Sequence, residues 1–213
     1  MNSYKIHKNL SHNDCFQAIN SFKDIISNYV PSYSSVGDTR FFGFERFIDS
    51  SITRILFDLD SNFIYSHTKK KPVFQTLMMN HTYYHDTAKG SGEGWHRDSC
   101  LKKQFKTIFY LVPVSSSNGP FRVFINPRKL FNIIFKFKRR FSNEFVTFFS
   151  FLLRDESLFT STSHGHGFSI NTNLIHRGSK IISGERFAIT VYSYLDEPDE
   201  TIFKLSNTDL KPL

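Results

Sequence analysis

In five stretches of this chain, apolar and polar residues follow the two-residue period of half-buried β-strands, or form the short apolar runs of buried strands. Five such stretches predict five strands, at 73–85, 105–112, 121–125, 168–176 and 187–195. No repeated helix–strand unit connects them. Several short strands with long insertions favour a mainly β fold with flanking helices and a double-stranded β-helix core of the jelly-roll or cupin type.

Helical spacing is confined to the N-terminal part of the chain. Apolar residues recur every three or four positions over 13–29, with Ser11 or Asn13 as a possible N-cap, and they predict an amphipathic helix. A second, shorter helix is predicted over 49–58. We expect one domain over residues 1–213, made of a helical part at 1–70, a jelly-roll core at 73–195 and an insertion at 128–155.

Composition and charge indicate the location and partners of the protein but do not indicate its chemistry. The formal net charge is +8 and the pI is near 9.5, which permits an anionic partner without selecting one. Cys15 and Cys100 match no paired-cysteine metal motif, and the N-terminus has no apolar signal core. Together with the lack of a long apolar run, this predicts a cytoplasmic protein.

The sequence Gly94-Trp95-His96-Arg97-Asp98-Ser99 is the first candidate for chemistry. In an extended segment, residues two apart lie on one side, so His96 and Asp98 can face the same point. His176 ends a strand-like run and can supply a second imidazole. Two histidines and one carboxylate form a triad that leaves coordination positions open on one face, which suits non-haem Fe(II).

Arg186 follows His176 by ten residues and begins the last predicted strand. The turn-like Ile182-Ser183-Gly184-Glu185 predicts a hairpin that places Arg186 on the strand next to His176. Arg186, Ala188, Thr190 and Tyr192 then share one face. An arginine in that position can bind a carboxylate through two parallel hydrogen bonds.

These blocks resemble the phytanoyl-CoA dioxygenase-like branch of the Fe(II)/2-oxoglutarate oxygenases. Gly94–Ser99 resembles the family's first metal motif, and the run from Phe105 to the Asn118-Gly119-Pro120 turn resembles its next strand and turn. His176-Arg177-Gly178-Ser179 followed by Arg186 resembles the distal histidine and the arginine that holds 2-oxoglutarate.

The resemblance implies a hydroxylase that binds Fe(II) and 2-oxoglutarate and reacts with O2, releasing succinate and CO2. Its metal ligands and catalytic residues would be His96, Asp98 and His176, and Arg186 would bind the cosubstrate. Related halogenases carry a small residue at the carboxylate position, so Asp98 favours hydroxylation or another oxidation. The substrate would be a small or conjugated organic molecule, of anionic or lipid-linked character if the positive charge is used.

Two departures from the family pattern leave parts of the site open. Phe124-Ile125-Asn126-Pro127-Arg128-Lys129 replaces a Pro-Gly-Ser-His-like sequence, so the substrate side of the pocket differs. Ala188 stands where some relatives have a serine, and the second contact to the cosubstrate carboxylate is left to Thr190, Asn80 or Tyr83.

Other histidines, and the residues that flank the triad, are interpreted without a role as metal ligands. We expect Trp95 and Ser99 to pack or orient the triad, and His81 and His85 to be structural although they could face the pocket. His164-Gly165-His166-Gly167 is interpreted as a glycine-rich entry into the strand that delivers His176, since no carboxylate accompanies the pair.

Three alternatives to a small-molecule oxygenase stay open. A cupin-like metalloenzyme without 2-oxoglutarate has no need of Arg186, and a non-catalytic jelly roll needs none of the triad. A nucleic-acid demethylase would use the basic charge, although nucleic acid is the less favoured partner.

The insertion carries six basic residues between Arg128 and Arg140 with no acidic one, followed by an aromatic run from Phe145 to Leu153. Basic side chains beside bulky apolar ones suit an interfacial segment that contacts a membrane peripherally through 128–153. The alternative is a helical cap over the barrel mouth with its Phe residues packed inward.

Overall fold

The computed structural model describes residues 4–88, 94–98, 103–198 and 200–213. Within these ranges the strands are β1 (Tyr4–His7), β2 (Tyr33–Ser35), β3 (Asp38–Phe42), β4 (Phe74–Tyr83), β5 (Trp95–His96), β6 (Gln104–Tyr110), β7 (Phe121–Phe124), β8 (Arg140–Phe141), β9 (Glu156–Phe159), β10 (His166–Asn171), β11 (His176–Gly178) and β12 (Glu185–Tyr194). The helices are α1 (His12–Asn28), α2 (Ser50–Thr68), α3 (Lys129–Ile134), α4 (Asn143–Phe148), α5 (Ser150–Leu153) and α6 (Glu200–Asn207), with one 3₁₀ turn at Phe44–Arg46.

The strands form two antiparallel sheets that face each other. The larger has the order β1-β10-β6-β12-β4-β3-β2, and the smaller has the order β8-β5-β11-β7-β9. Along the chain, β4, β6, β10 and β12 enter the large sheet, while β5, β7, β9 and β11 enter the small one. This interleaving is the double-stranded β-helix, so the predicted fold class is confirmed.

Helices α1 and α2 pack on the outer face of the large sheet. Ser11 caps α1 by accepting a hydrogen bond from Asp14 N (3.1 Å), and Cys15, Ala18, Phe22 and Ile25 form its buried stripe. The predicted helix at 49–58 is present but continues to Thr68, where Lys69 ends it in the left-handed conformation. Among the described residues, no helix is long and apolar enough to cross a membrane.

The N-terminal part is not only helical, because β1, β2 and β3 also lie in it. β1 pairs with β10, and β3 pairs with β4. These strands have three to five residues each, too few to show a period in the sequence. β1 and β3 are stabilised by hydrogen bonds to strands more than thirty positions later in the chain, whereas β2 pairs with β3, which follows it directly.

A buried polar network lies between α2 and the outer face of the large sheet. The Asp60 carboxylate accepts hydrogen bonds from Thr107 Oγ1 (2.5 Å), Gln75 Nε2 (2.9 Å) and Ser193 Oγ. Ser169 Oγ continues the network to His7 Nε2 at 2.5 Å. Burial raises the pKa of Asp60 to about 6, against the effect of its hydrogen bonds, and burial lowers the pKa of His7 to about 4.

The predicted strand at 168–176 is two strands in different sheets. β10 ends at Asn171, where Asn171 Oδ1 accepts from Asn173 N (3.0 Å) and the chain turns towards the small sheet. His176 begins β11. The glycine-rich sequence at 164–167 therefore leads into β10, and the prediction that it enters the strand delivering His176 was wrong.

Arg186 does not lie on the strand next to His176. Residues 179–184 cross from β11 in the small sheet to β12 in the large one, so β11 and β12 do not form the predicted hairpin. β12 pairs with β4 and β6 instead. A crossing of this kind resembles a turn in sequence, because Gly184 with φ 72° serves either connection.

The insertion at 128–155 contains α3, β8, α4 and α5. Strand β8 pairs with β5, with Arg140 opposite His96. Inward-facing side chains of the insertion form an aromatic and aliphatic cluster with Trp95, Phe124 and Ile175. The buried members from the insertion are Phe131, Phe141, Val146, Leu152 and Leu153, with Phe135, Phe145 and Phe149 at the edge. The insertion is thus built onto the small sheet as a wall of the structure.

Candidate active site

His96 and His176 are neighbours across the pair β5–β11, and their rings lie 4.4 Å apart between centroids. The Nδ1 of His96 donates to the Gly94 carbonyl, and the Nδ1 of His176 donates to the Leu174 carbonyl, both at 2.8 Å. Each of these bonds leaves Nε2 as the nitrogen that carries the lone pair. Both Nε2 atoms point into the space between the two sheets.

Asp98 completes the cluster. Its Oδ1 is 3.5 Å from His96 Nε2 and 3.6 Å from His176 Nε2. Although burial would raise it, the pKa of Asp98 lies well below its usual value, chiefly because the Lys106 ammonium stabilises the carboxylate. The pKa of His176 is lowered, mainly by burial, which favours the neutral imidazole.

These three residues fit a divalent cation. The Nε2 of His176 is buried and makes no hydrogen bond, and its lone pair faces a carboxylate oxygen. That arrangement is repulsive unless a proton or a cation lies between the two atoms. The three donor atoms lie within 4.8 Å of one another, and in the described part of the chain no other group of three His, Cys, Asp or Glu does so.

Lys106 was missed by the sequence reasoning. Its Nζ is 2.7 Å from Asp98 Oδ2 and 4.6 Å from the centre of the Tyr192 ring. Burial would lower the pKa of Lys106, but the Asp98 carboxylate raises it, so the ammonium stays charged. A lysine in the middle of the apolar strand β6, two positions from Ile108 and four from Tyr110, was the available signal.

Arg186 is buried in the large sheet, opposite the two histidines, and its side chain faces the same cavity. One of its terminal nitrogens donates to the Gly119 carbonyl, and its Nε makes no hydrogen bond. Gly119 has φ 71°, and an added Cβ would meet Ser179 O at 2.7 Å, so the Asn118-Gly119-Pro120 turn requires glycine here. The turn positions a carbonyl that orients Arg186.

The cavity between the sheets has a volume of about 230 Å³. Arg186, Ala188, Thr190 and Tyr192 all line it, so the prediction that they share one face is confirmed. Among its described lining residues the charged ones are Arg40, Arg97, Asp98, Lys106, Arg139, Arg140 and Arg186. Six cations against one carboxylate give the cavity a positive potential.

Tyr110 also lines the cavity and was not predicted. Its hydroxyl accepts a hydrogen bond from Phe121 N (2.8 Å), and burial raises its pKa to about 12 even though Arg186 acts against this shift. Of the three residues considered for the second carboxylate contact, Thr190 and Asn80 line the cavity, whereas Tyr83 is exposed and does not. Asn80 is already engaged with Asp38 at 2.6 Å.

The remaining sequence candidates lie away from the cavity. Trp95 packs against Phe124 in the cluster of the insertion, 4.8 Å between ring centroids. His81 pairs with Glu185 and stacks on Phe187, and His85 bonds Thr87. Ser99 lies outside the described residues.

His164 and His166 are not part of the metal cluster. His164 stacks edge-on with His12, and His166 is the first residue of β10. Neither has a carboxylate partner at metal-ligand distance among the described residues, in agreement with the structural interpretation.

Comparison with solved structures gives the architecture a wider context. SnoK, a non-haem α-ketoglutarate-dependent carbocyclase from nogalamycin biosynthesis, superposes with a TM-score of 0.65 at 11% identity, over 100% of this chain and 89% of its own. The epimerase SnoN from the same pathway gives 0.63 at 11%, over 100% and 86%. The chain has the fold of the 2-oxoglutarate-dependent oxygenases.

A prolyl hydroxylase from Trichoplax adhaerens, solved with a hypoxia-inducible-factor peptide, is similar as well, with a TM-score of 0.58 at 15% identity over 98% and 89% of the two chains. No protein-family model and no curated sequence matches the chain. At these identities the similarity shows the fold alone, and the chemistry has to be argued from the site.

Proposed function

We propose that the chain, as a single oxygenase domain, is an Fe(II)- and 2-oxoglutarate-dependent dioxygenase of the phytanoyl-CoA dioxygenase-like branch. One observation carries this proposal. The Nε2 atoms of two histidines and the carboxylate of Asp98 converge at one end of a cavity whose other sheet holds a buried arginine. The fold of the solved neighbours supports it, and SnoN has been solved with Fe³⁺ and α-ketoglutarate.

His96, Asp98 and His176 would hold the iron. The Nδ1 atoms of the two histidines donate hydrogen bonds to the Gly94 and Leu174 carbonyls, and these bonds fix both rings. Each Nε2 atom can therefore bind a metal without rearrangement of its ring. A triad of this kind would leave coordination positions available for 2-oxoglutarate and O2. The bound iron and cosubstrate supply the oxidising chemistry, and the protein supplies position, dryness and charge.

Arg186 would bind the distal carboxylate of 2-oxoglutarate. It is buried, charged and directed into the cavity, and its guanidinium is already oriented by the Gly119 carbonyl. The Tyr110 hydroxyl faces the same cavity and would give a second donor for the same carboxylate. We therefore assign Tyr110 rather than Tyr83 to that contact, with Thr190 as a further neighbour.

Lys106 would keep the carboxylate of Asp98 in its ligating orientation. Its ammonium binds Oδ2, which leaves Oδ1 facing the two imidazoles. A carboxylate at this position occupies the coordination site that a halide would need. We propose hydroxylation on this basis, while the carbocyclase and epimerase among the fold neighbours indicate which other oxidations the architecture accommodates.

We propose a small anionic primary substrate. Arg186 is assigned to the cosubstrate, Arg40 pairs with Asp38, and Lys106 pairs with Asp98. Arg139 donates to the Asp98 carbonyl and lies with Arg140 on the lining beside the metal strand, where a substrate phosphate or carboxylate would pass or bind. The same charge would admit nucleic acid, but the cavity volume of about 230 Å³ favours a small molecule.

The proposed function is tested by anaerobic addition of Fe(II) and then 2-oxoglutarate to the metal-free protein. We expect the weak visible charge-transfer band of the metal chelate, with one equivalent of each bound. Admission of O2 with candidate substrates, paired as phosphorylated and unphosphorylated forms, should then stimulate succinate release. Iron binding without any 2-oxoglutarate band would favour the cupin-like metalloenzyme instead, and the absence of iron binding would refute both.

A further inference from the structure

The outer side of the insertion exposes large apolar side chains to an unusual degree. Six of them lie between positions 130 and 151 and keep 53% to 72% of their surface exposed: Leu130, Ile133, Ile134, Phe137, Phe148 and Phe151. Single exposed apolar residues are ordinary, but a group of this size in one segment indicates a surface that contacts something.

This exposure is not the result of a segment without a core. Phe131 is fully buried, Phe141 and Leu152 are nearly so, and Phe135, Phe145 and Phe149 pack against them. Within α3, Leu130, Ile133 and Ile134 have the spacing of one helical face, while Phe131 faces the cluster. The insertion therefore has an inner apolar side that packs against the protein and an outer apolar side that is exposed.

Basic residues surround this outer side. Arg128, Lys129, Lys136, Lys138, Arg139 and Arg140 are all exposed, and no acidic residue occurs from position 128 until Glu144. We call the six apolar and six basic residues together the basic–apolar surface. Its sign matches a negatively charged partner, and its bulky side chains suit a partner with an apolar interior.

The basic–apolar surface is joined to the candidate active site. Strand β8 pairs with β5, and the Arg139 side chain donates to the Asp98 carbonyl. Arg97 reaches back into the insertion, where it donates to Phe135 O (3.0 Å) and Asn132 Oδ1 (2.9 Å). Two residues of the surface, Arg139 and Arg140, also line the cavity.

We propose that the basic–apolar surface docks the protein on an anionic phospholipid membrane. Anionic headgroups attract the lysines and arginines, and the phenylalanine and isoleucine side chains enter the boundary with the acyl chains. A protein partner would have to be both acidic and apolar over the same area. The phospholipid surface has both properties everywhere, and docking there does not depend on the chemistry of the cavity.

The test is co-sedimentation of the full chain with vesicles of phosphatidylserine and phosphatidylcholine, compared with vesicles of phosphatidylcholine alone. The parent should sediment with the anionic vesicles, and more salt should reduce the bound fraction. The double variant Ile133→Asp/Phe137→Asp should lose at least tenfold in partitioning. Both side chains are more than two thirds exposed, so the fold should be retained.

A matched control changes two equally exposed apolar residues elsewhere, as Val73→Asp/Ile182→Asp, which alters the net charge by the same amount. The control should sediment like the parent. Lys129→Gln/Lys136→Gln should reduce binding, and Lys70→Gln/Lys71→Gln should do so much less.

Three results would overturn membrane docking. The parent could stay in the supernatant with anionic vesicles, or the Ile133/Phe137 variant could partition like the parent. The parent could also fail to bind vesicles but self-associate in analytical ultracentrifugation, with the Ile133/Phe137 variant remaining monomeric. That result would make the surface a protein interface.

Discussion

His96 and His176 lie directly opposite each other on neighbouring antiparallel strands, although they are far apart in sequence. Each imidazole is held by a hydrogen bond from Nδ1 to a carbonyl two residues before it. This symmetry means that neither ring can turn away without breaking a backbone contact, so both Nε2 atoms remain directed at Asp98.

The first prediction concerns the metal. His96→Ala and His176→Ala should each reduce Fe(II) or Co(II) binding by at least tenfold, because two remaining ligands hold a first-row metal weakly. His85→Ala, an exposed histidine outside the cavity, is the control. Metal content after dialysis and the visible spectrum of the Co(II) form measure the effect. A full equivalent of tightly bound metal in either alanine variant would remove that histidine from the site.

The second prediction concerns Lys106. Lys106→Met leaves the Asp98 carboxylate without its cation, which should destabilise the metal-free protein by about 2 to 3 kcal/mol. This is less than the usual cost of breaking a fully buried ion pair, because 15% of the Asp98 side chain is exposed. A divalent metal replaces the missing charge. Added Co(II) should therefore raise the melting temperature of the variant more than that of the parent.

The variant Asp98→Ala/Lys106→Met is the control for Lys106. It removes both charges, so it should be more stable than Asp98→Ala alone, in which Lys106 is buried without its partner. Activity should be lost in both. If Lys106→Met lowered the stability of Asp98→Ala by as much as it lowers that of the parent, the two residues would not be coupled.

The third prediction concerns Arg186. Arg186→Ala should weaken 2-oxoglutarate binding by about 2 to 3 kcal/mol, or roughly 30- to 150-fold, because a charge-assisted pair is lost. Metal binding should be unchanged. Tyr110→Phe should have a smaller effect in the same direction, and Arg54→Ala, on the exposed side of α2, should have none. Titration of the anaerobic charge-transfer band gives the constants, and equal affinity in Arg186→Ala would disprove the assignment.

The fourth prediction concerns the buried carboxyl under α2. The pKa of Asp60 is raised to about 6 in the native state, against a usual value near 4, so its protonated form stabilises the fold and this contribution is lost as the pH rises from about 4 to 6. Asp60→Asn has no such loss. The unfolding free energy of the variant relative to the parent should therefore increase by roughly 2 to 3 kcal/mol between pH 4 and pH 7.

His7 has the opposite dependence, because a pKa lowered to about 4 makes its neutral form contribute stability that is lost as the pH falls. It is present in both proteins, so the difference between parent and variant isolates Asp60. Urea denaturation at four or five pH values gives the comparison. A difference that does not vary with pH would show that the pKa of Asp60 is the same in the folded and unfolded states.

The strands of the core could be predicted because each has its own pattern. β4, β6 and β12 are seven to ten residues long, and their apolar positions are visible without any knowledge of neighbours. β5, β8 and β11 have only two or three residues, and their conformation comes from pairing with one another. The position of His96 and His176 was thus predictable from motif spacing, but the strands that hold them were not.

Arg186 illustrates the same limit at the site. Its residue type and its distance from His176 indicated a carboxylate-binding role, which remains a proposal, whereas its sheet was predicted incorrectly. A turn within one sheet and a crossing between sheets use similar short polar sequences with glycine. Lys106 and Tyr110 were overlooked because a strand pattern shows which residues share a face but not which face meets the cavity.

The pairing of β5 with β11 also has a kinetic consequence. It joins positions 96 and 176, so the chain between them must close into a long loop before either histidine meets its neighbour, and such closures slow folding. The β6–β12 pair closes a loop of similar length but is held by seven residue pairs instead of one, so we expect the metal cluster to form after β6 and β12 have paired. Metal should then slow unfolding while leaving the refolding rate nearly unchanged, which stopped-flow measurements with and without Co(II) can determine. The lifetime of the native state would depend on the ion, whereas the speed of reaching it would depend on the chain.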